Sequence, residues 1–187
     1  MFGGTFDPPH PGHLNLFHEA ALLTPLERIV VVPAYLSNFK RGTHPVSFSD
    51  RFRMVSLLVE DYRREYPEDR IEVALSRYEG ERGGVSYSSE TCRHFIQEFS
   101  WDGKLDFIIG DDQLEKLSGW HDFPYLKENV RFWCFSRSGG VNTTEAEVVM
   151  VPSTLVRVSS TEIRGGDFDR LTPSVRKYID ENQLYRA

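Results

Sequence analysis

The stretch Gly3-Gly4-Thr5-Phe6-Asp7-Pro8-Pro9-His10-Pro11-Gly12-His13 puts paired glycines, three prolines and two histidines at the start of the chain. It follows the apolar pair Met1-Phe2. It precedes a segment, His13 to Leu23, in which Leu14, Phe17 and Ala21 fall roughly on one helical stripe. Strand, glycine turn, helix is the physical recipe for an anion site. Glycines let the backbone approach a ligand closely. A helix beginning near Gly12-His13 offers unpaired N–H groups and a positive dipole end.

Outward from this turn, the chain repeats the same alternation. Arg28 to Pro33, Leu105 to Gly110, Val130 to Phe135 and Glu147 to Pro152 are short apolar runs rich in β-branched or aromatic residues, and read as buried parallel strands. Ile71 to Leu75 alternates and is a further strand candidate. Between them, Ser49-Asp50 is positioned to cap a helix carrying Phe52, Val55, Val59 and Tyr62, with Leu58 beside that stripe. Ser88 or Ser89 starts a helix with Cys92, Phe95, Ile96 and Phe99. Thr172-Pro173 starts another with Val175, Tyr178 and Ile179, and Leu184 follows the same pattern. Strands and helices at βαβ spacing predict a Rossmann-like three-layer α/β/α sandwich with a mainly parallel sheet. In such a sheet the ligand lies beyond the carboxyl ends of the strands. The Gly139 to Thr144 stretch reads as a surface loop.

The expected domain is single, over residues 1–187. Its first strand would consist of Met1-Phe2 alone, whereas a central strand normally has about five or six residues. We therefore expect that strand to be truncated at the N-terminus.

The net charge of −6, with 40 % apolar and 27 % charged residues, describes a soluble domain with a real core. A general nucleic-acid binder carries a basic balance or stripe, and none is present. No long apolar run calls for a membrane span, and no signal-peptide pattern opens the chain. The two cysteines, Cys92 and Cys134, sit in apolar-leaning stretches without metal spacing, as expected of reduced thiols in the cytoplasm. Whether the chain is a monomer or a homo-oligomer is open at this level.

His10 and His13 are three apart and can face one anion, donating ring N–H groups to phosphate oxygens. The same spacing suits a metal pair, although no third ligand lies nearby. The turn is neither a Walker A loop, since no Gly-Lys-Ser/Thr follows, nor the dinucleotide fingerprint.

The opening stretch resembles the signature of the nucleotidylyltransferase superfamily, carried here by Thr5-Phe6-Asp7-Pro8, His10 and Gly12-His13. The second superfamily motif, I-S-S-T-x-I-R, is matched by Val158-Ser159-Ser160-Thr161-Glu162-Ile163-Arg164. Within the superfamily the chain is most similar to the bacterial nicotinate-nucleotide adenylyltransferases. That likeness rests on Ser86 to Thr91, on Phe107 to Asp112 followed by Leu117-Ser118-Gly119-Trp120, and on the terminal Val175 to Ile179 with Asn182 to Tyr185. The phosphopantetheine adenylyltransferases share the opening motif, and a preference for nicotinamide mononucleotide is a second alternative. A noncatalytic nucleotide-binding protein on the same fold is the alternative from another class.

The resemblance implies transfer of the adenylyl group of ATP to nicotinate mononucleotide, with Mg2+ held mainly by phosphates and water. It implies that His10 and His13 contact the ATP phosphates and that Arg164 faces the departing β- and γ-phosphates. Gly4, Thr5 and Phe6 lie against ATP, as do Ser160 and Thr161, whose Ser-Ser-Thr-Glu context is also an ordinary helix start. Gly110 and Asp112 match positions near the ribose, while the adjacent Asp111 is equally suited to hydrated magnesium. Trp120 corresponds to a tryptophan that stacks on the pyridine ring, and Thr91 with the backbone around Tyr87 to the group that orients the nicotinate carboxylate. Lys40 corresponds to a phosphate-side lysine, but Ser37-Asn38-Phe39-Lys40 lacks the family's two prolines and histidine. Arg137 matches an arginine after the fifth strand, with a role at the adenine end of ATP or in packing.

Overall fold

A computed structural model describes residues 1–37, 45–136, 142, 144–154, 156 and 158–186. The six expected strands form, together with two short ones that the sequence reading did not anticipate. They are β1 (Phe2–Gly4), β2 (Arg28–Pro33), β3 (Leu36–Ser37), β4 (Glu72–Leu75), β5 (Val85–Ser86), β6 (Leu105–Gly110), β7 (Val130–Ser136) and β8 (Glu147–Pro152). The helices are α1 (Pro11–Leu23), α2 (Phe48–Glu65), α3 (Tyr78–Arg82), α4 (Ser88–Glu98), α5 (Asp111–Leu114), α6 (Phe123–Asn129), α7 (Ser160–Arg164) and α8 (Pro173–Glu181).

Two parallel ladders run β1-β2-β4 and β6-β7-β8. They meet at Met1, whose carbonyl accepts from Ile108 N–H at 2.9 Å and whose amino group donates to the Asp106 carbonyl at 2.6 Å. β1 pairs with β2 over Phe2, Gly3 and Gly4, opposite Val31, Val32 and Pro33. All six strands are parallel, so every carboxyl end opens at one edge of the sheet. A separate parallel pair, β3 and β5, lies beyond that edge, and Tyr35 N–H bonds the Ser86 hydroxyl at 3.0 Å.

The alternation of strand side chains sorts the core into two layers. On one face Phe2, Val31, Ile108, Trp133 and Phe135 pack against Phe17 of α1, Met54, Leu58 and Tyr62 of α2, and Val175 and Ile179 of α8. On the other, Val32, Phe107, Ile109, Phe132 and Cys134 pack against Cys92 and Phe95 of α4 and Leu126 of α6. The three-layer α/β/α architecture follows.

Two helix starts differ from the sequence reading. α1 begins at Pro11 with His10 as its N-cap, because proline suits the first turn where its missing donor is not needed. α2 begins at Phe48, capped by Ser47, whose Oγ accepts from Asp50 N–H at 3.1 Å. Asp50 serves instead to tie α2 to α8, accepting the Tyr178 hydroxyl at 2.9 Å. The Gly139 to Thr144 loop lies largely outside the described residues.

Candidate active site

The glycine turn leaves β1 at the carboxyl edge. A β-carbon on Gly4 would sit 2.9 Å from the Phe6 ring, so any other residue there would have to displace that ring. Phe6 takes a left-handed φ of 51° and is buried. Its ring packs 4.9 Å from that of His13, and the His10 and His13 rings stack at 3.7 Å. His10 N–H donates to His13 Nδ1 at 3.1 Å. The two imidazoles therefore share one position at the first turn of α1, with His10 buried and His13 half-buried.

The second motif arrives from the far end of the chain. α7 starts with a reciprocal cap: Ser159 Oγ accepts from Glu162 N–H at 3.2 Å, and Ser159 N–H donates to Glu162 Oε2 at 2.7 Å. The cap makes Ser159 the helix start and leaves the next two hydroxyls for other partners. Ser160 Oγ donates to the Pro8 carbonyl at 2.8 Å, and the exposed Thr161 hydroxyl accepts from the Arg164 guanidinium at 3.3 Å. Arg164 also donates to the Asp7 carbonyl and lies 3.5 Å from Asp7 Oδ2. Asp7, Pro8, His10, His13, Ser160, Thr161 and Arg164 thus form one cluster.

Buried Arg51 of α2, 1 % exposed, holds the backbone beneath this cluster. Its guanidinium donates to the carbonyls of Thr5 (2.8 Å), Ala34 (2.6 Å), Tyr35 (3.0 Å) and Val46 (3.0 Å). Burial lowers its pKa, and the Asp7, Tyr185 and Glu79 side chains oppose that shift. The Thr5 position is therefore fixed by its carbonyl, and its hydroxyl is not needed for the fold contact.

β6 runs out beside β1 and ends at Gly110, the N-cap of the short α5. A β-carbon on Gly110 would meet Asp112 Oδ1 at 2.8 Å, so glycine lets this carboxylate fold back over the strand end. Asp112 is exposed and accepts from Gln113 Nε2 at 2.7 Å; Asp111 accepts from the Ser136 hydroxyl at 3.5 Å. Hard carboxylate oxygens of this kind fit a hydrated divalent cation carried by ATP phosphates.

Trp120 packs against Phe107, and Tyr87 and Thr91 lie at the start of α4, the Thr91 hydroxyl 3.4 Å from the Tyr87 carbonyl. The Phe107 Cζ would lie 3.6 Å from a β-carbon on Gly3, and the Phe107 ring stands edge-on to Trp120 at 5.7 Å. Trp120 also packs edge-on against Phe132 and is 7 % exposed. It is thus a core residue in this conformation as well as a pocket candidate. The buried Thr91 hydroxyl donates to Glu79 Oε1 at 2.6 Å. Burial raises the Glu79 pKa against opposing contacts from Ser86, Thr91 and Arg82. The Tyr87 ring lies 4.2 Å from that of His121, whose Nδ1 is 3.1 Å from Ser89 Oγ. Lys40 and Arg137 lie outside the described residues.

Sequence reasoning assigned nothing to Arg51, Glu79, His121 or Tyr185, and left Asp7 without a role. Arg51 carried a signal: it falls on the same stripe as Val55, Leu58 and Tyr62, where an arginine must be buried and paired. His121 follows Trp120 directly. Nothing local marks Tyr185 as a partner of a residue at the opposite end of the chain.

The cytidylyltransferase-like family model matches residues 1–166. Among curated relatives, proteins named probable nicotinate-nucleotide adenylyltransferase are similar over the whole chain. The one from Shouchella clausii is 33 % identical over 99 % of this chain and 95 % of its own length. The one from Geobacillus kaustophilus is 36 % identical over 100 % of this chain and 85 % of its own length. The Plasmodium falciparum nicotinic acid mononucleotide adenylyltransferase, solved complexed with NaAD, superposes with a TM-score of 0.76 at 16 % identity, over 98 % of this chain and 95 % of that one. That structural likeness establishes the fold.

Proposed function

The chain belongs to the cytidylyltransferase-like family, and we propose that within it the protein transfers the adenylyl group of ATP to nicotinate mononucleotide, a step of NAD biosynthesis. The observation that carries the reading is the meeting of the two motifs, in which Arg164 and Ser160 bond the backbone of Asp7 and Pro8. That contact gathers two imidazoles, a guanidinium and two hydroxyls around the start of α1, a donor set made for a polyphosphate.

In the reaction a phosphate oxygen of the mononucleotide forms a bond to the α-phosphorus of ATP. The bond from that phosphorus to the bridging oxygen breaks, and its electron pair leaves with pyrophosphate. Deamido-NAD is the product. The nucleophile is already anionic, so no strong base is required, and the rate comes from alignment and charge stabilisation. His13, with His10 behind it, stabilises charge developing at the α-phosphate. Arg164 and the Ser160 and Thr161 hydroxyls hold the β- and γ-phosphates. Gly4, Thr5 and Phe6 form the floor under the triphosphate, and Arg51 keeps that floor in place through the Thr5 carbonyl. Asp112 accepts from ribose hydroxyls beside Gly110. A divalent cation, Mg2+ in this reading, neutralises ATP phosphate charge when bound, with Asp111 or Asp112 placed to accept from its water shell. The backbone around Tyr87 orients the nicotinate carboxylate, with the buried Thr91 shaping that segment through its hydroxyl, and the pyridine ring is assigned to Trp120, which must turn out of its packing on Phe107 and Phe132 to stack on it. Lys40, outside the described residues, is assigned a phosphate contact on the family resemblance alone. We assign the protein to the cytoplasm, a reading supported by two free, buried cysteines; burial pushes the Cys92 thiol up to about 12 and that of Cys134 to about 11.

Pyrophosphate release, with ATP and magnesium, tests the assignment against three acceptors offered separately: nicotinate mononucleotide, nicotinamide mononucleotide and phosphopantetheine. Turnover is expected with the first alone. Comparable turnover with the second removes the role given to Thr91, and silence with all three in folded protein removes the reaction.

A further inference from the structure

The tail after α8 makes a contact that the adenylyl-transfer chemistry does not use. The backbone there takes left-handed φ angles at Gln183 (52°) and Tyr185 (61°). Side-chain-bearing residues adopt that region only against steric crowding of the β-carbon, so two within three residues need an offsetting contact. Leu184 and Tyr185 pack on the α1/α2/α8 side of the core, and the Tyr185 hydroxyl donates to Asp7 Oδ1 at 2.7 Å. Its ring lies 6.4 Å from that of Phe168.

Asp7 is buried at 6 % exposure, so its carboxylate needs every partner it has. Oδ1 accepts from Tyr185 and from Val46 N–H at 3.3 Å. Oδ2 faces the Arg164 guanidinium at 3.5 Å, and the Asp7 carbonyl accepts from the same guanidinium. A continuous line therefore runs from the last turn of the chain, through a buried carboxylate in the first motif, to an arginine in the second. Burial and the Asp7 carboxylate raise the phenol pKa against the opposing pull of Arg164 and Arg51, so the hydroxyl keeps its proton and remains a donor. Arg164 itself is 31 % exposed along its side chain, so its direction is set by these contacts and by the Thr161 hydroxyl rather than by enclosure in the core.

We propose that Tyr185 is a positioning residue: its hydroxyl fixes the Asp7 carboxylate, which in turn aims the Arg164 guanidinium at the leaving pyrophosphate. This rests on the reading of Arg164 given above. The residue acts through two others and touches no substrate.

Calorimetric titration of the full chain with ATP, pyrophosphate and AMP tests it, using wild type, Tyr185→Phe, Asp7→Asn, the double variant and Arg164→Ala. Tyr185→Phe should weaken ATP and pyrophosphate about tenfold and leave AMP within about twofold, because AMP lacks the phosphates that Arg164 faces. Asp7→Asn should do the same, and adding Tyr185→Phe to it should cost little more, since both act along one line. Equal weakening of AMP and ATP would mean general loosening, and would overturn the proposal. So would wild-type pyrophosphate affinity in Tyr185→Phe, or effects that multiply in the double variant. If Arg164→Ala binds pyrophosphate as wild type does, the reading of Arg164 fails and takes the proposal with it. If Arg164→Ala weakens binding and Tyr185→Phe does not, the positioning role alone fails.

Discussion

Replacing Arg51 with methionine removes the guanidinium and keeps most of the side-chain volume. Four backbone carbonyls, those of Thr5, Ala34, Tyr35 and Val46, then lose their side-chain donor at once. Each acceptor left without a partner costs about 1–3 kcal/mol where water cannot replace the lost donor, so about 4–12 kcal/mol is an upper sum for these part-buried carbonyls. Against this, the variant no longer has to strip water from a guanidinium that is 1 % exposed, a saving of several kcal/mol. The net loss is therefore about 3 kcal/mol, or about 6–12 °C in melting midpoint for a domain of this size. Arg51→Lys keeps the charge but presents a compact ammonium with three donors, which cannot reach four carbonyls spread around a planar fork. It should lose about half as much. Urea unfolding followed by tryptophan fluorescence measures both, and pyrophosphate release should show a raised ATP KM because the Thr5 carbonyl is no longer tied. Two results would refute the reasoning. One is Arg51→Met unfolding within about 0.5 kcal/mol of wild type; the other is Arg51→Lys less stable than Arg51→Met, which would mean that the buried charge outweighs its bonds.

Three further outcomes follow from the site. His13→Ala should lower kcat by about 10²–10³, the scale of one lost charge-stabilising donor, with a smaller change in ATP KM; a kcat within threefold of wild type would take the α-phosphate role from His13. Trp120→Phe keeps an aromatic ring between Phe107 and Phe132 and should raise KM for nicotinate mononucleotide about tenfold while sparing that for ATP. Equal shifts in both constants would reduce Trp120 to a core residue. The folded-state pKa of Glu79 is raised above 4.5, so the folded chain binds its proton more tightly than the unfolded chain does, and stability is lost as pH rises from the unfolded value through the folded one. Glu79→Gln still accepts from Thr91 and removes that loss; its melting midpoint should exceed that of wild type at pH 7 and converge with it below about pH 4.5. Parallel curves from pH 4 to 8 would contradict the assignment.

The parts of this fold that the sequence states openly are those with a local cause. Val30, Val31 and Val32 can only be a buried strand, and the alternation of Phe107 and Ile109 against Ile108 becomes two faces of one sheet. The cap of α7 is written in Ser159 and Glu162, three apart, and it forms. The start of α2 was legible only to within two residues, because Ser47 and Ser49 are equally good caps in isolation. Packing of Asp50 against Tyr178, 128 positions away, settles which is used.

The site divides the same way. His10 and His13 meet because one helical turn brings them together, and a spacing of three residues is enough to say so. Arg164 and Asp7 meet across 157 positions, Tyr185 and Asp7 across 178, and no pattern within a window of sequence contains either pair. What a buried carboxylate does provide is a requirement. Asp7 sits in a run of prolines and apolar residues that closes over it, and a charge so placed must be met by donors from somewhere. In this fold the donors come from Val46 ahead of α2, from the segment after β8 and from the tail after α8. The candidate site therefore joins segments far apart in sequence. The glycine turn and the two histidines are set locally, whereas Arg164 takes its place beside them through its contacts with Asp7.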